Sequence, residues 1–239
     1  NEINDLMEPL FNDKVFKLNR NKFNFKSTLD DVIFNKYEGQ IDTGEMMDSL
    51  LNKAYKGNIR VINNVSVQTY EDIGSSVKVC TNQFSLSCNK LFIATNGFSE
   101  SIIQEKVVPA RAQVLITKPI KNLKAIGTFH IEQGYYYFRN IDNRILLGGG
   151  RNLDFQSENT SEFGLTGVIQ SKLEQLLSDV ILPQTEFEID QRWSGIMGVG
   201  NKKTSITKQL SNNVYCGVRL GGMGVAIGSS VGSELANLI

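Results

Sequence analysis

Histidine and cysteine are scarce in this sequence. His130 is the single histidine, so an HExxH zinc site or any other multi-histidine metal site cannot form within the chain. The three cysteines, Cys80, Cys88 and Cys216, include no CxxC pair and cannot form a fully paired disulfide framework. We therefore expect no metal site and a reducing, cytoplasmic setting.

The sequence also lacks an excess of one charge and any long apolar run. Lys plus Arg and Asp plus Glu each number 25, which gives a formal net charge of zero. Surfaces that bind nucleic acid normally carry a basic excess, so we expect no nucleic-acid partner. No apolar run approaches the roughly 20 residues of a membrane helix, and the first ten residues are not typical of a signal peptide. We therefore expect no membrane partner either.

The first hundred residues have the pattern of a mixed α/β structure. Apolar residues from Met46 to Ala54 recur at helical spacing, with Asp42-Thr43 as a start signal and Gly57 as a stop signal. A shorter helix is expected near Leu6–Phe11. Strands are predicted over 14–18, 22–25, 59–62, 64–68, 77–81, 84–87 and 91–95.

Longer strands follow from Val107 onward. They are predicted over 107–117, 134–138, 144–149 and 186–193, with a tight turn at Asp142-Asn143. An amphipathic helix is predicted over 166–177. This order of elements indicates a mostly antiparallel layer with one helix. The chain then ends in a strand over 213–218 and a helix over 225–239.

The glycine-rich ending, VYCGVRLGGMGVAIG, carries the strongest chemical signal. Glycine allows a ligand to approach the backbone closely and permits a positive φ. A helix that starts here would supply unpaired N–H donors and partial positive charge, which suits phosphate or a delocalised anion. A glycine cluster is weak evidence by itself, so a turn without a ligand remains the alternative.

A second signal is LFIATNG, at residues 91–97. Apolar residues lead into a tight turn of small residues, and ligands of open α/β sheets lie beyond the carboxyl ends of strands. An ordinary strand-to-loop turn is the alternative if this segment stands alone.

Together, in this order, these segments resemble the flavin-dependent oxidoreductases of the D-amino-acid oxidase and glycine oxidase type. LFIATNGFS resembles the family's second flavin-domain motif, and VYCGVRLGGMGVAIG its last flavin loop and helix. EGQIDTG resembles the segment before a helix that returns to the flavin domain. VVPARAQVLIT resembles the Pro-x-Arg/Lys strand that enters the substrate domain, and RWSGIMG the Trp-x-Gly segment. The resemblance covers the chain from Glu38 onward.

The resemblance implies an α/β fold made of a partial FAD-binding Rossmann-like domain and a mostly antiparallel substrate domain. Residues 1–37 would belong to the substrate domain, 38–100 to the FAD-binding domain, 101–212 to the substrate domain and 213–239 to the FAD-binding domain again. It also implies oxidation of an amine or amino acid, with hydride transfer to flavin.

One family motif is absent. None of the 21 glycines forms a GxGxxG, the turn that holds the pyrophosphate of FAD in this family. We therefore expect the chain to be the C-terminal portion of such an enzyme, inactive alone and a weak binder of FAD. A flavin-free binding or scaffold domain is the alternative, and a flavin domain that acts on a modified nucleoside is another.

The resemblance also implies roles for individual residues. Tyr135, Arg219 and Arg111 would be the catalytic residues. The family's substrate-binding arginine corresponds to Gly222, so Arg219, three residues earlier, could instead bind the backbone or an acid, and Arg111 could be a solvated strand residue. Gly198 is expected in a turn without a cofactor role. The expected FAD-binding residues are Val65, Ala94, Thr95, Asn96, Gly97, Arg219, Gly221, Gly222, Met223, Gly224, Val225 and Ala226.

Overall fold

Strands account for most of the regular structure in residues 2–28 and 30–239, which the computed structural model describes. The helices are α1 (Glu2–Phe11), α2 (Thr43–Lys56), α3 (Phe155–Glu158), α4 (Gly167–Leu176) and α5 (Gly224–Ala236). The first strands are β1 (Phe16–Arg20), β2 (Asp31–Asn35), β3 (Val67–Asp72), β4 (Val77–Thr81), β5 (Ser85–Cys88) and β6 (Leu91–Ile93). The later strands are β7 (Val108–Thr117), β8 (Thr128–Ile131), β9 (Tyr136–Ile141), β10 (Arg144–Gly149), β11 (Ile189–Val199), β12 (Ile206–Ser211) and β13 (Val214–Val218).

The chain divides into two compact units. The first unit comprises Asn1–Asp42, Gln113–Asp154 and Gly164–Ser194, and the second comprises Thr43–Ala112, Phe155–Phe163 and Gly195–Ile239. Two of the unit limits, at 112/113 and 194/195, fall inside β7 and β11. Residues 101–112, 155–163 and 195–212, which we expected in the substrate domain, are therefore part of the second unit.

An antiparallel sheet and α4 form the core of the first unit. The strand order is β11-β7-β10-β9-β8, and β10 pairs antiparallel with both β7 and β9. Asp142 and Asn143 join β9 to β10 with φ values of 47° and 58°, as a two-residue type I′ hairpin requires. Fully buried Leu115 and Leu147 of the sheet pack with Leu173 of α4. The predicted antiparallel layer with one helix is confirmed.

The second unit contains two three-stranded sheets. One has the order β12-β13-β6, with β6 and β13 parallel, and the other has the order β3-β4-β5. Ile93 of β6, Cys216 of β13 and Val79 of β4 share one buried apolar cluster. Segments 91–95 and 213–218, which the resemblance assigns to the same domain, pair directly in the register Leu91–Val214 and Ile93–Cys216.

Two sequence predictions of strands were wrong. Residues 22–25 form no strand, because Phe23 and Phe25 pack their rings against Phe129, at centroid distances of 4.9 and 5.1 Å. Residues 59–62 also form no strand, and Ile59 and Ile62 are exposed. An apolar run alone therefore does not specify a strand, since a strand forms only where another strand is available to pair with it.

No helix in the described part of the chain combines the length and apolar character needed to span a bilayer.

The helix predicted near residue 50 is confirmed as α2, which ends where the Gly57 amide bonds to the Lys53 carbonyl. Its apolar side is exposed, however, with Met47 and Leu50 each about half accessible.

Asp72 joins the two sheets of the second unit. Its Oδ2 accepts hydrogen bonds from Ser211 Oγ at 2.6 Å and the Asn213 amide at 2.9 Å, and its Oδ1 accepts one from Asn213 Nδ2 at 2.9 Å. The Gly74 amide donates a further bond to Oδ1 at 3.0 Å. These hydrogen bonds, that from Ser211 foremost, hold the pKa of Asp72 well below its usual range.

Asp72→Ala should lower the melting temperature at pH 7 by roughly 3–6 °C. The stabilisation by Asp72 is complete above the unfolded-state pKa of about 3.9 and is lost as the pH falls below it, since protonation weakens the acceptor. The variant should therefore lose less stability than the wild type on acidification below pH ~4. Calorimetry across this range measures both effects, with the exposed Asp48→Ala on α2 as control. Equal melting temperatures for wild type and Asp72→Ala at pH 7 would contradict the assignment.

Candidate functional site

Three of the segments singled out from the sequence meet in the second unit. They are the turn Asn96–Phe98 after β6, residues 196–198 near the end of β11, and the loop 219–223 after β13. Because β6 and β13 are parallel, the chain leaves both strands at the same edge of the sheet. The turn and the loop therefore lie side by side, as ligand-binding segments of open α/β sheets do.

Asn96 connects the turn to the loop. Its φ is 46°, in the left-handed region that asparagine tolerates better than most residues. Its side-chain Oδ1 accepts a hydrogen bond from the Leu220 amide at 3.0 Å. Its carbonyl accepts a second bond from the hydroxyl of buried Ser99 at 2.7 Å. Hydrogen bonds thus hold both the side chain and the main-chain carbonyl of Asn96.

Close backbone contact joins β11 to the same turn. A Cβ on buried Gly97 would lie 2.7 Å from the Met197 carbonyl oxygen, and one on Gly198 would lie 2.6 Å from Asn96 Oδ1. Side chains are excluded at both positions by these distances. The expectation that Gly198 lies in a turn was wrong: it is a buried residue of β11 in contact with Asn96.

The loop after β13 exposes its backbone. The Gly221 amide bonds to the Gly198 carbonyl at 2.9 Å, and the Met223 amide bonds to the Leu220 carbonyl at 2.9 Å. Gly221 and Gly222 are exposed, with φ values of 60° and 82°. Next, α5 begins at Gly224, and the first amides of a helix have no carbonyl partner within it. The loop therefore leads into the N-terminus of α5, which carries partial positive charge.

Arg219 is bound to the protein itself. Its Nε donates to the Thr204 carbonyl at 2.9 Å, and its Nη2 contacts Thr204 Oγ1 at 3.4 Å. This is the backbone role that the sequence left open, and a role in substrate binding stays a prediction.

Arg111 is paired with a buried acid. Its Nε and Nη2 donate to the two carboxylate oxygens of Glu158 at 2.9 and 2.8 Å, and the Glu158 side chain is fully buried. Glu158 raises the pKa of Arg111, so the guanidinium stays charged. A solvated position for Arg111 is excluded by this contact. The partner could not be found from the sequence, because Glu158 lies in a polar stretch without a distinctive pattern.

The remaining predicted residues lie apart from this contact region or at its border. Ala94 and Thr95 are exposed at the end of β6, and Val65 is half-buried in the irregular segment before β3. Tyr135 belongs to the first unit, where its side chain is exposed and its carbonyl accepts the Gly150 amide at 3.0 Å. Among the described residues, no cluster of histidine, cysteine or acidic side chains has a metal-binding arrangement.

Gly198→Ala should disturb the contact region. The new methyl group would overlap Asn96, and such overpacking destabilises by about 1–3 kcal/mol. Gly195→Ala, three residues earlier in β11, is the matched control, because a Cβ there meets no atom within 4 Å. Urea unfolding of both variants measures the difference. Equal stabilities would show that Asn96 and Gly198 are not in contact.

Arg111→Leu should destabilise the protein by about 3 kcal/mol, because it removes a positive charge and two hydrogen bonds from the buried Glu158 carboxylate. The double variant Arg111→Met with Glu158→Leu should recover at least half of that loss, since an apolar pair needs no charge compensation. Denaturant unfolding of the two variants measures this recovery. A single variant as stable as the wild type would argue against the ion pair.

Comparison with known proteins supports the arrangement of segments. L-proline dehydrogenase from P. horikoshii matches with a TM-score of 0.74 and 18% identity over 89% of this chain and 59% of that chain. Glycine oxidase from Bacillus cereus ATCC 14579 matches with a TM-score of 0.79 and 13% identity over 100% of this chain and 70% of that one. L-amino acid deaminase from Proteus vulgaris, with its specific insertion deleted, matches with a TM-score of 0.77 and 13% identity over 99% of this chain and 63% of that chain.

At these identities the likeness establishes the fold, and the chain spans 59–70% of the length of these three structures. No curated protein sequence gives a significant match. The family model for FAD-dependent oxidoreductases, DAO, matches residues 17–238. Because this range is most of the sequence, the chain belongs to the DAO family of FAD-dependent oxidoreductases.

Proposed function

We propose that this chain provides the flavin-ring side of an FAD-dependent oxidoreductase that oxidises a C–N bond of an amine or amino acid. The observation that supports this most directly is the meeting of Asn96, Gly198 and the loop 219–223 at one edge of the β12-β13-β6 sheet. Membership of the DAO family identifies FAD as the cofactor.

The exposed loop fits the flavin end of FAD. Gly221 has no atom within 4 Å of the position where a Cβ would stand, and Gly222 has only Met197 Sδ, at 3.2 Å. The space beside both residues is therefore open. The turn at 94–97 would border the pyrophosphate, and Val65 the adenine. The GxGxxG turn that holds the pyrophosphate in this family is absent from the sequence, so the fit covers only part of the cofactor.

FAD supplies a hydride acceptor when it is bound. The residues of this chain would bind and orient it and tune its charge. The first two amides of α5, those of Gly224 and Val225, would donate toward negative charge that develops on the ring during reduction, whereas the Ala226 amide bonds to the Met223 carbonyl at 3.0 Å. This stabilisation needs no side-chain base, which agrees with a sequence that has one histidine.

The substrate is proposed to be a small amine or amino acid, because the names of the matched structures include an L-proline dehydrogenase, a glycine oxidase and an L-amino acid deaminase. Tyr135 would lie over the substrate, and Arg219 would approach it. Arg219 already donates to Thr204, and Arg111 already donates to Glu158. Neither guanidinium is therefore free to bind a substrate carboxylate through two hydrogen bonds. We therefore favour recognition of the amine over recognition of a carboxylate.

FAD titration followed by anaerobic reduction tests the function. We expect weak but saturable flavin binding by this chain. Loss of the absorbance near 450 nm on addition of an amine such as glycine, L-proline or benzylamine is expected in a protein that also carries the GxGxxG turn. A protein that binds no flavin at millimolar FAD would favour the alternative of a flavin-free binding domain, which the missing GxGxxG supports.

The three free cysteines are the basis for proposing a cytoplasmic location.

Gly222→Val should reduce flavin binding in addition to straining the loop. The valine would occupy the open face of the loop at a φ of 82°, with a strain of about 1–3 kcal/mol. We expect flavin affinity to fall at least ~10-fold, which corresponds to about 1.4 kcal/mol. Gly224→Val should have a smaller effect, because Gly224 is the first residue of α5 and has no positive φ.

Gly232→Ala is the control, since a Cβ there meets no atom within 4 Å and alanine favours a helix. Fluorescence titration with FAD and thermal unfolding provide the two measurements. Normal flavin affinity in Gly222→Val would mean that the loop is only a structural turn.

A further inference from the structure

The side chain of Asn96 bridges segments that are 124 residues apart in the sequence. Its Oδ1 accepts the Leu220 amide, and Leu220 immediately precedes the two exposed glycines with positive φ. An asparagine in a turn usually bonds to its own neighbouring backbone. This one bonds instead to the loop that leads into α5.

The surroundings hold Asn96 in place. The Gly198 backbone packs against its Oδ1 and carbonyl carbon, so that a Cβ there would lie 2.6 and 3.0 Å from them. The Ser99 hydroxyl fixes its carbonyl, and the Gly198 carbonyl accepts the amide of Gly221, next to Leu220. The acceptor is therefore presented to the loop from a rigid support.

We propose that Asn96 is a positioning residue, whose Oδ1 holds loop 219–223 in the conformation that presents Gly222 and the first amides of α5 to the flavin. The inference rests on the proposed function, because it concerns how that flavin face is built. Asn96 acts through the loop, and nothing in the inference requires its side chain to touch the cofactor.

The chemistry of the side chain suits this role. An amide oxygen accepts the Leu220 N–H without adding a formal charge. A carboxylate at the same place would accept the same bond but would place negative charge at the loop, where the ring becomes more negative on reduction. Two substitutions therefore separate the effect of the hydrogen bond from the effect of charge: Asn96→Gly removes the acceptor, and Asn96→Asp keeps it but adds a negative charge.

Asn96→Gly removes the acceptor and tolerates the φ of 46°. In this variant we expect hydrogen exchange of the Leu220 amide to become up to ~10-fold faster, as loss of one hydrogen bond predicts. FAD affinity should fall by a similar factor, and the melting temperature should change by a few degrees at most. Asn96→Asp keeps the acceptor, so slow exchange should be retained while the flavin reduction potential falls.

Asn58→Gly is the matched control. Asn58 is an exposed asparagine with a φ of 58° in the same unit, and its replacement should leave Leu220 exchange and flavin affinity unchanged. Exchange is followed by NMR on the 239-residue chain without flavin, and affinity and potential are measured with FAD added.

Unchanged Leu220 exchange in Asn96→Gly would overturn the inference, as would flavin affinity equal to that of the wild type. An unchanged reduction potential in Asn96→Asp would also count against it. Failure of the wild type to bind flavin would instead overturn the proposed function, and the exchange measurement distinguishes the two failures because it needs no flavin.

Discussion

The parallel pairing of β6 with β13 is the constraint on which the candidate site depends. Only three residues of β6 take part, in the register Leu91–Val214, Phe92–Tyr215 and Ile93–Cys216. Side chains reinforce this short ladder, since the rings of Phe92 and Tyr215 stack with centroids 5.2 Å apart. An antiparallel pairing would place the turn at 96–98 and the loop at 219–223 at opposite edges of the sheet. The direction of two short strands therefore decides whether Asn96 can reach Leu220.

The sequence predicted segments more reliably than it predicted contacts between segments. The limits of α2 and the hairpin at Asp142-Asn143 follow from local signals, namely caps, apolar spacing and turn residues, and the structure confirms them. β12 was missed, because its sequence ITKQLS has little apolar pattern and it forms by pairing with β13. A strand of this kind depends on a partner that its own residues do not reveal.

Contacts within the site were harder still to predict. The need for glycine at position 198 comes from Asn96, and the half-buried position of Arg111 comes from Glu158. Neither partner is near its counterpart in sequence, so no local pattern could indicate either contact. The family resemblance located the glycine-rich loop, whereas the contacts that hold the loop in place became visible only in the fold.

The two arginines show how one residue type can be used for architecture rather than recognition. A guanidinium presents up to five N–H donors in a rigid plane, so it can bind carbonyls and carboxylates of the protein as well as those of a ligand. Arg111 uses this geometry on the buried carboxylate of Glu158, so that the charges of both groups are compensated within the protein. Arg219 uses it on Thr204 and so fixes the start of the loop after β13. Both side chains thus contribute to the shape of the second unit.

The loop at 219–223 is held mainly by polar contacts and glycine geometry. Its amides bond to Asn96 Oδ1, to the Gly198 carbonyl and within the loop itself, while Gly221, Gly222 and Met223 remain exposed. In contrast, α5 is anchored farther along by buried Val231 and Leu235. If apolar side chains anchored the loop instead, residues 221–223 would have to be buried rather than exposed. Backbone hydrogen bonds leave these residues open to a ligand. As a consequence, the conformation of the loop depends on a few acceptors, and Asn96 Oδ1 is the side-chain atom that accepts from a loop amide.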